Sequence, residues 1–519
     1  MKNKRMKNMK HQYFLIVASL FAMVLSSCIS DDSSESDGSI NISISGLEES
    51  YNVVSFTDDK LVITPTVTSS LPSDDLTYEW SYFEQKDNSY GSAKVEKHPL
   101  HFSDGKDLDS KLELAEGQYV FIITVTSKST GYKQMASTRV YTSCDISKGF
   151  VILKEDADGN SDYDLYNTSN KGFVEDVLKS LGDGAVPGKP RHGDVNYEFA
   201  FQDPETDKCN NANCYCLTTE NNEVRWIRLS DAATVMTADN AHFEFMPGEI
   251  PYRTVRGYFT TYYLTSNGVW SCYTGSSAGV GILGSFSGDG GSTHCVGSPS
   301  AFYSLVYWDE QTRSIAFSDY NNGYVPPMSL VPGYEVQNTN YDCITCGANT
   351  TAGEIIYFLL QDRTTHKKVM YYFDCSAWSP MLVNVEELDD ASNFANASSY
   401  AVCCSQATVA YGVRNNKVFT YDLSGSQTER EITVPGLPSG ETITYISNRY
   451  FSMQDAFDYL IIGTQSGDTY HAYFYNMVGG EPVGQPALTL TGTGKIHSVD
   501  FADPAVGSMA PMVTPILDK

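Results

Sequence analysis

The sequence predicts an all-β protein, a small antiparallel sandwich followed by a seven-bladed β-propeller. Three observations lead there. Short runs of alternating apolar and polar residues, broken by Ser, Asp, Gly and Pro, fill residues 39–146. From Lys148 onward a strand-turn-strand unit recurs seven times, and helical spacing is confined to one patch between the first two units.

The segments follow in chain order. Residues 1–27 read as a lipoprotein signal peptide: Lys2, Lys4, Arg5, Lys7 and Lys10, then an apolar run from Tyr13 to Leu25 that is too short to span a bilayer comfortably. Leu25-Ser26-Ser27-Cys28 fits a lipobox, so Cys28 is expected to carry acyl chains, each buried methylene adding about 0.8 kcal/mol to an outer-membrane anchor. Residues 28–38 are polar and acidic and are expected to form a flexible tether. Within it Ser30, Asp31 and Asp32 resemble the acidic export tag that follows the lipidated cysteine in surface-exposed lipoproteins of the Bacteroidota. The resemblance implies a cell-surface location.

Two runs define the sandwich over 39–146. Leu76, Tyr78, Trp80 and Tyr82 share one face of a strand, and a second strand enters at Glu116-Gly117 and runs through Tyr119, Phe121, Ile123 and Val125. A Tyr-x-Trp strand followed by Gly-x-Tyr and an alternating run resembles the immunoglobulin-like PKD fold. Trp80 and Tyr119 are read as core residues.

Residues 147–519 carry the repeats. The hairpins are Phe150 to Tyr166, Cys214 to Leu229, Phe259 to Tyr273, Tyr303 to Phe317, Ile355 to Phe373, Thr408 to Tyr421 and Tyr459 to Phe474. Several turn on favoured pairs such as Asp158-Gly159 and Asn267-Gly268. A period of roughly fifty residues matches four-stranded propeller blades. Ala487 to Phe501, with Leu488, Leu490, Ile496 and Val499, is expected to complete the blade begun near Phe150. Phe173, Val174, Val177, Leu178 and Leu181 form the helical patch. A twin-sheet sandwich or a β-solenoid is the competing architecture.

Thirty-five Lys and Arg against 63 Asp and Glu give a net charge of −28, which repels phosphate backbones and argues against nucleic acid as a partner. Setting Cys28 aside leaves eleven cysteines, an odd number, read mostly as buried small apolar residues. Cys209 to Cys216 and Cys343 to Cys346 are the local disulfide candidates.

No motif for catalysis emerges, and no catalytic residue is assigned. Ser287 to His294 copies most of an Asp-box, a structural turn. Asp156, Asp158 and Asp162 have calcium-loop spacing but lack the closing Glu, so a polar hairpin tip is favoured over Ca²⁺ and no cofactor is expected. Cys343-Ile-Thr-Cys346 has no partner pair at zinc spacing. There is no phosphate loop, His-Glu-x-x-His or Gly-x-Ser-x-Gly. What stands out is 35 tyrosines among 12% aromatic residues, suited to surfaces that bind glycans or peptides. Aromatic residues beside turns are the candidate ligand contacts: Tyr262, Tyr273, Trp308, Tyr320, Tyr324 and Trp378.

Lipobox, acidic tag, PKD-like sandwich and propeller, in that order, resemble the PKD-like surface lipoproteins of Bacteroidota, which are associated with outer-membrane importers of the SusC/SusD type. The resemblance implies a non-catalytic accessory subunit in nutrient uptake. It would bind oligopeptides or glycans beside such an importer and its sister surface lipoproteins. A surface hydrolase and a structural or adhesion protein are the alternatives.

Overall fold

The computed structural model describes residues 40–85, 98–202, 209–240, 249–256, 260–273, 284–285, 296–297, 305–318, 326–349, 355–376, 380–403, 407–426, 428–451 and 456–505. Cys28, Ser30, Asp31, Asp32, the Asp-box, Tyr320, Tyr324 and Trp378 lie outside them.

The N-terminal sandwich pairs Leu76–Glu84 with Gly117–Ser127, and Gly117–Ser127 in turn with Lys133–Ser143, all antiparallel; Ser50–Val54 adds a parallel edge. The alternation seen in the sequence sorts the faces. Trp80, Phe121, Ile123, Val125 and Val140 point into one core, joined by Ile42, Leu61, Ile63 and Leu108 from the two smaller sheets. Trp80 is fully buried, and its indole N–H donates to the Lys106 carbonyl at 3.2 Å, which satisfies the ring's one polar group.

After residue 148 the described residues form seven sheets in succession. Sheet I comprises Gly149–Glu155, Ser161–Tyr166 and Phe173–Val174, completed by Lys495–Ala502. Sheet II runs Pro190–Gln202, Cys209–Thr219, Val224–Arg228 and Thr234–Thr237. Sheet III holds Pro251–Arg256, Thr260–Thr265, Gly268–Tyr273 and Gly284–Ser285, and sheet IV Val296–Gly297, Leu305–Asp309 and Ser314–Ser318. Sheet V is Tyr341–Asn349, Ile355–Asp362, Lys368–Asp374 and Met381–Glu387, edged by Met328–Ser329. Sheet VI is Ser399–Val402, Val409–Arg414, Lys417–Asp422 and Glu429–Ile432. Sheet VII is Thr442–Phe451, Phe457–Ser466, Thr469–Val478 and Leu488–Thr493, with Glu481–Pro482 at its edge. All seven expected hairpins are present.

Each sheet shares an apolar core with the next, which is why the central strands are apolar on both faces. Sheets I and II meet through Leu153, Leu165, Tyr215 and Leu217, II and III through Phe199, Trp226 and Tyr263, and III and IV through Tyr262, Leu264 and Tyr307. Trp308 and Phe358 join IV to V, Tyr357 and Tyr421 join V to VI, and Tyr411 and Ile462 join VI to VII. Phe150, Ile152, Tyr470 and Phe474 bring VII back against I. In that last core the Tyr470 hydroxyl donates to Asp164, whose other oxygen pairs with the fully buried Lys154 ammonium at 2.6 Å. The chain is therefore all-β, with a propeller-like succession of sheets after the sandwich.

Two local expectations need correction. The stretch from Ala487 to Phe501 completes the blade begun near Phe150 through its second half alone: Leu488–Thr493 pairs within sheet VII, and after Gly494 the strand Lys495–Ala502 pairs with Gly149–Glu155, setting Val499 opposite Ile152. Gly494 adopts φ +100°, and a Cβ there would lie 2.4 Å from the Glu155 carbonyl oxygen, so this corner needs glycine. The helical patch shrinks to one turn, Val177–Ser180, because Phe173–Val174 pairs with Leu165 and Tyr166 as a strand.

Candidate ligand-binding cleft

Pro190–Gln202 packs against Pro251–Arg256 and against Lys495–Ala502, which also packs against Thr442–Phe451. At one end of these strands a cleft of about 310 Å³ opens. Sheet I contributes Glu155 from its hairpin; sheet II contributes Lys189 and Pro190 at the start of its first strand, where proline costs no ladder hydrogen bond, and Glu220 from a hairpin tip. Sheet VII adds Thr444 and Gln465, and the closing strand adds Lys495, Ile496 and His497.

The cleft is polar. One oxygen of Glu155 lies 3.5 Å from the Lys189 ammonium and 3.4 Å from that of Lys495, and both lysines are more than half exposed. His497 Nε2 is 3.0 Å from the Arg191 carbonyl oxygen. A carbonyl only accepts, so Nε2 carries the proton and, in the neutral ring, Nδ1 is an acceptor. The surrounding protein, then the neighbouring His192, hold the imidazole down to about 4 although its edge faces the cleft.

Beneath the cleft lies a buried charge cluster. Asp194 takes His192 Nε2 at 3.0 Å and the Arg253 guanidinium at 3.2 Å. Asp500 takes Arg449 at 2.9 Å and the Tyr215 hydroxyl at 3.2 Å, while Arg449 Nε donates to the Val499 carbonyl at 2.6 Å. Gly193 makes the Tyr215 contact feasible, since a Cβ there would sit 2.0 Å from the Tyr215 oxygen. Burial lowers His192, with Arg253 adding to the effect, and burial raises Asp500 against the pull of Arg449. Two carboxylates facing two guanidiniums balance in formal charge, and the pairs link Pro190–Gln202 to Pro251–Arg256 and Thr442–Phe451 to Lys495–Ala502.

The aromatic candidates fare differently. Tyr262 and Trp308 are not on exposed loops. Each stands within a strand whose two faces are both covered, Tyr262 in the core between sheets III and IV and Trp308 in that between IV and V. Tyr273 ends a strand of sheet III, and Tyr320, Tyr324 and Trp378 are outside the described residues.

Asp156, Asp158 and Asp162 do not converge. Asp156 accepts the N–H groups of Asp158 and Asn160 at 2.9 and 2.8 Å and pairs with Lys179, so it shapes the hairpin. Asp162 faces the other way and accepts N–H groups of Tyr163, Leu178 and Lys179, which ties the helical turn to the sheet. Among the described residues no group of three or more His, Cys, Asp or Glu is placed to hold a metal. The local disulfide candidates are corrected too: Cys216, Cys343 and Cys346 are buried thiols, and Cys343 Sγ donates to the Thr345 carbonyl.

Sequence reasoning missed the cleft and the charges below it. Their signal was present, as charged residues inside otherwise largely apolar strands: His192 and Asp194, Arg253, Arg449, and Asp500 in the closing strand.

No curated protein matches the chain. Among solved structures, a quinonprotein alcohol dehydrogenase-like protein from Bacteroides thetaiotaomicron aligns at TM-score 0.44 and 14% identity, over 87% of this chain and 96% of the other. The WD40 domain of SCAP from fission yeast aligns at TM-score 0.32 and 11% identity, over 70% and 93%. In sequence, a model of the PKD-like family matches residues 37–190, the sandwich together with the first three strands of sheet I. The N-terminal region of this chain is thus PKD-like.

Proposed function

We propose that this chain is a cell-surface lipoprotein, held on the outer membrane by Cys28, whose sheets close as a seven-bladed β-propeller and whose axial cleft binds a small polar ligand without transforming it. The ligand, an oligopeptide or a glycan, is passed to an outer-membrane importer of the SusC/SusD type. Support for the closed ring comes from the unbroken series of shared cores, with VII packed on I. Binding is carried by one observation, the cleft of about 310 Å³ in which exposed ammonium groups, a carboxylate and an imidazole acceptor face a common space. The matched ion pairs beneath it supply rigidity, and no cofactor or metal enters the reading.

Incubating the purified protein with peptide and glycan panels tests this. Calorimetric binding with every ligand recovered intact by mass spectrometry is expected, and product formation would contradict the non-catalytic role. Retrieval of an importer from crosslinked outer membranes is expected as well.

A further inference from the structure

The cleft limits what it can hold. Lys189 and Lys495 share one oxygen of Glu155 at 3.5 and 3.4 Å, and each ammonium has three donors, so both keep donors for a second carboxylate placed between them. His497 offers the opposite: with Nε2–H given to the Arg191 carbonyl, Nδ1 awaits a donor. A carboxylate acceptor and an N–H donor are therefore wanted side by side. Glu220 on the rim and the net charge of −28 turn away ligands with many negative charges. Among the described lining residues there is no Tyr, Phe or Trp, the broad platforms on which the apolar face of a sugar usually rests. A volume of about 310 Å³ is at the lower end for small-molecule sites, enough for the last residue or two of a chain whose remainder leaves through the mouth.

We infer that the cleft captures the C-terminal end of a short peptide, with its carboxylate between Lys189 and Lys495 and its last amide N–H on Nδ1 of His497. This deepens the reading of the cleft as a ligand site and rests on it. The α-carboxylate and the adjacent N–H are the donor–acceptor pair that every peptide not ending in proline carries there, so other side-chain sequence matters little.

The test is calorimetric titration of the whole protein with a random tetrapeptide pool in three forms, free acid, C-terminal amide and N-acetylated, and with maltotetraose. The free acid is expected to bind, amidation to weaken binding by about tenfold, the loss of a charge-assisted contact, and N-acetylation to leave it unchanged. Lys495→Ala and Lys189→Ala should each cost about tenfold, with an unchanged melting temperature showing that the variants fold. Equal affinity for acid and amide, with binding still lost in Lys495→Ala, overturns the peptide-end assignment but keeps the cleft as a site. So does maltotetraose binding that Lys495→Ala abolishes. Binding by none of the four probes overturns both readings.

Discussion

Asp194, itself 13% exposed, stands between a nearly buried histidine and a fully buried arginine, and that position decides what its removal does. Arg253 is 1% exposed, so Asp194→Ala leaves a buried guanidinium without its carboxylate and is expected to cost about 3–5 kcal/mol in urea unfolding. A loss below about 1 kcal/mol, the scale of an exposed pair, would mean the cluster is solvated. His497 sets a pH expectation. Its pKa is lowered to about 4, so the ring takes up a proton, and loses its Nδ1 acceptor, only in acid. Glu155, Glu220, Lys189, Lys495 and His192 are the charged or titratable neighbours around it. Peptide affinity should therefore stay level between about pH 5.5 and 8, where an ordinary histidine would titrate; a fall centred near 6.5 in the same titrations would count against Nδ1 as the acceptor. None of this pairing was legible in the sequence. Spacing along a strand says which face a residue takes, but not which distant strand will bring Arg449 to Asp500. Tyr262 and Trp308 failed as exposed candidates for a related reason: nearness to a turn does not give side-chain direction when both faces of a strand are buried.

The hairpins were legible because their determinants are local, a turn of Asp, Asn or Gly between strands of fixed period. The closing strand was half legible. Its apolar positions are plain, but the break at Gly494 depends on the nearby Glu155 carbonyl, which the sequence places hundreds of residues away. Lys495–Ala502 covers the edge of Gly149–Glu155 and buries Val499 and Phe501. Truncation after Gly494 should expose that edge and give a chain prone to aggregation and quickly cleaved near residue 150. Adding a synthetic peptide of residues 495–505 should restore protease resistance, and a truncated chain as resistant as the whole would show that the strand is dispensable.

Across the whole molecule, sandwich and propeller are not beads on a string. The Phe56 carbonyl accepts the Phe173 N–H at 3.1 Å, and Asn167 donates to the Asp145 carbonyl at 2.8 Å. Phe56 also packs on the core between sheets I and II. This continuity gives a physical reason for the PKD-like match to run on into sheet I. Location is tested at this scale too. Asp31→Ala with Asp32→Ala is expected to hold the protein in the periplasm, and unchanged protease accessibility on intact cells would refute the export role of the acidic tag.

Sheet I joins a strand made early to one made late. During synthesis Gly149–Glu155 emerges long before Lys495–Ala502, so one flank of sheet I must wait, unpaired, while the other six sheets appear. The last step of assembly is then set by the order in which the chain is made, and the interval before it is when a bare strand edge is most open to pairing with the wrong neighbour.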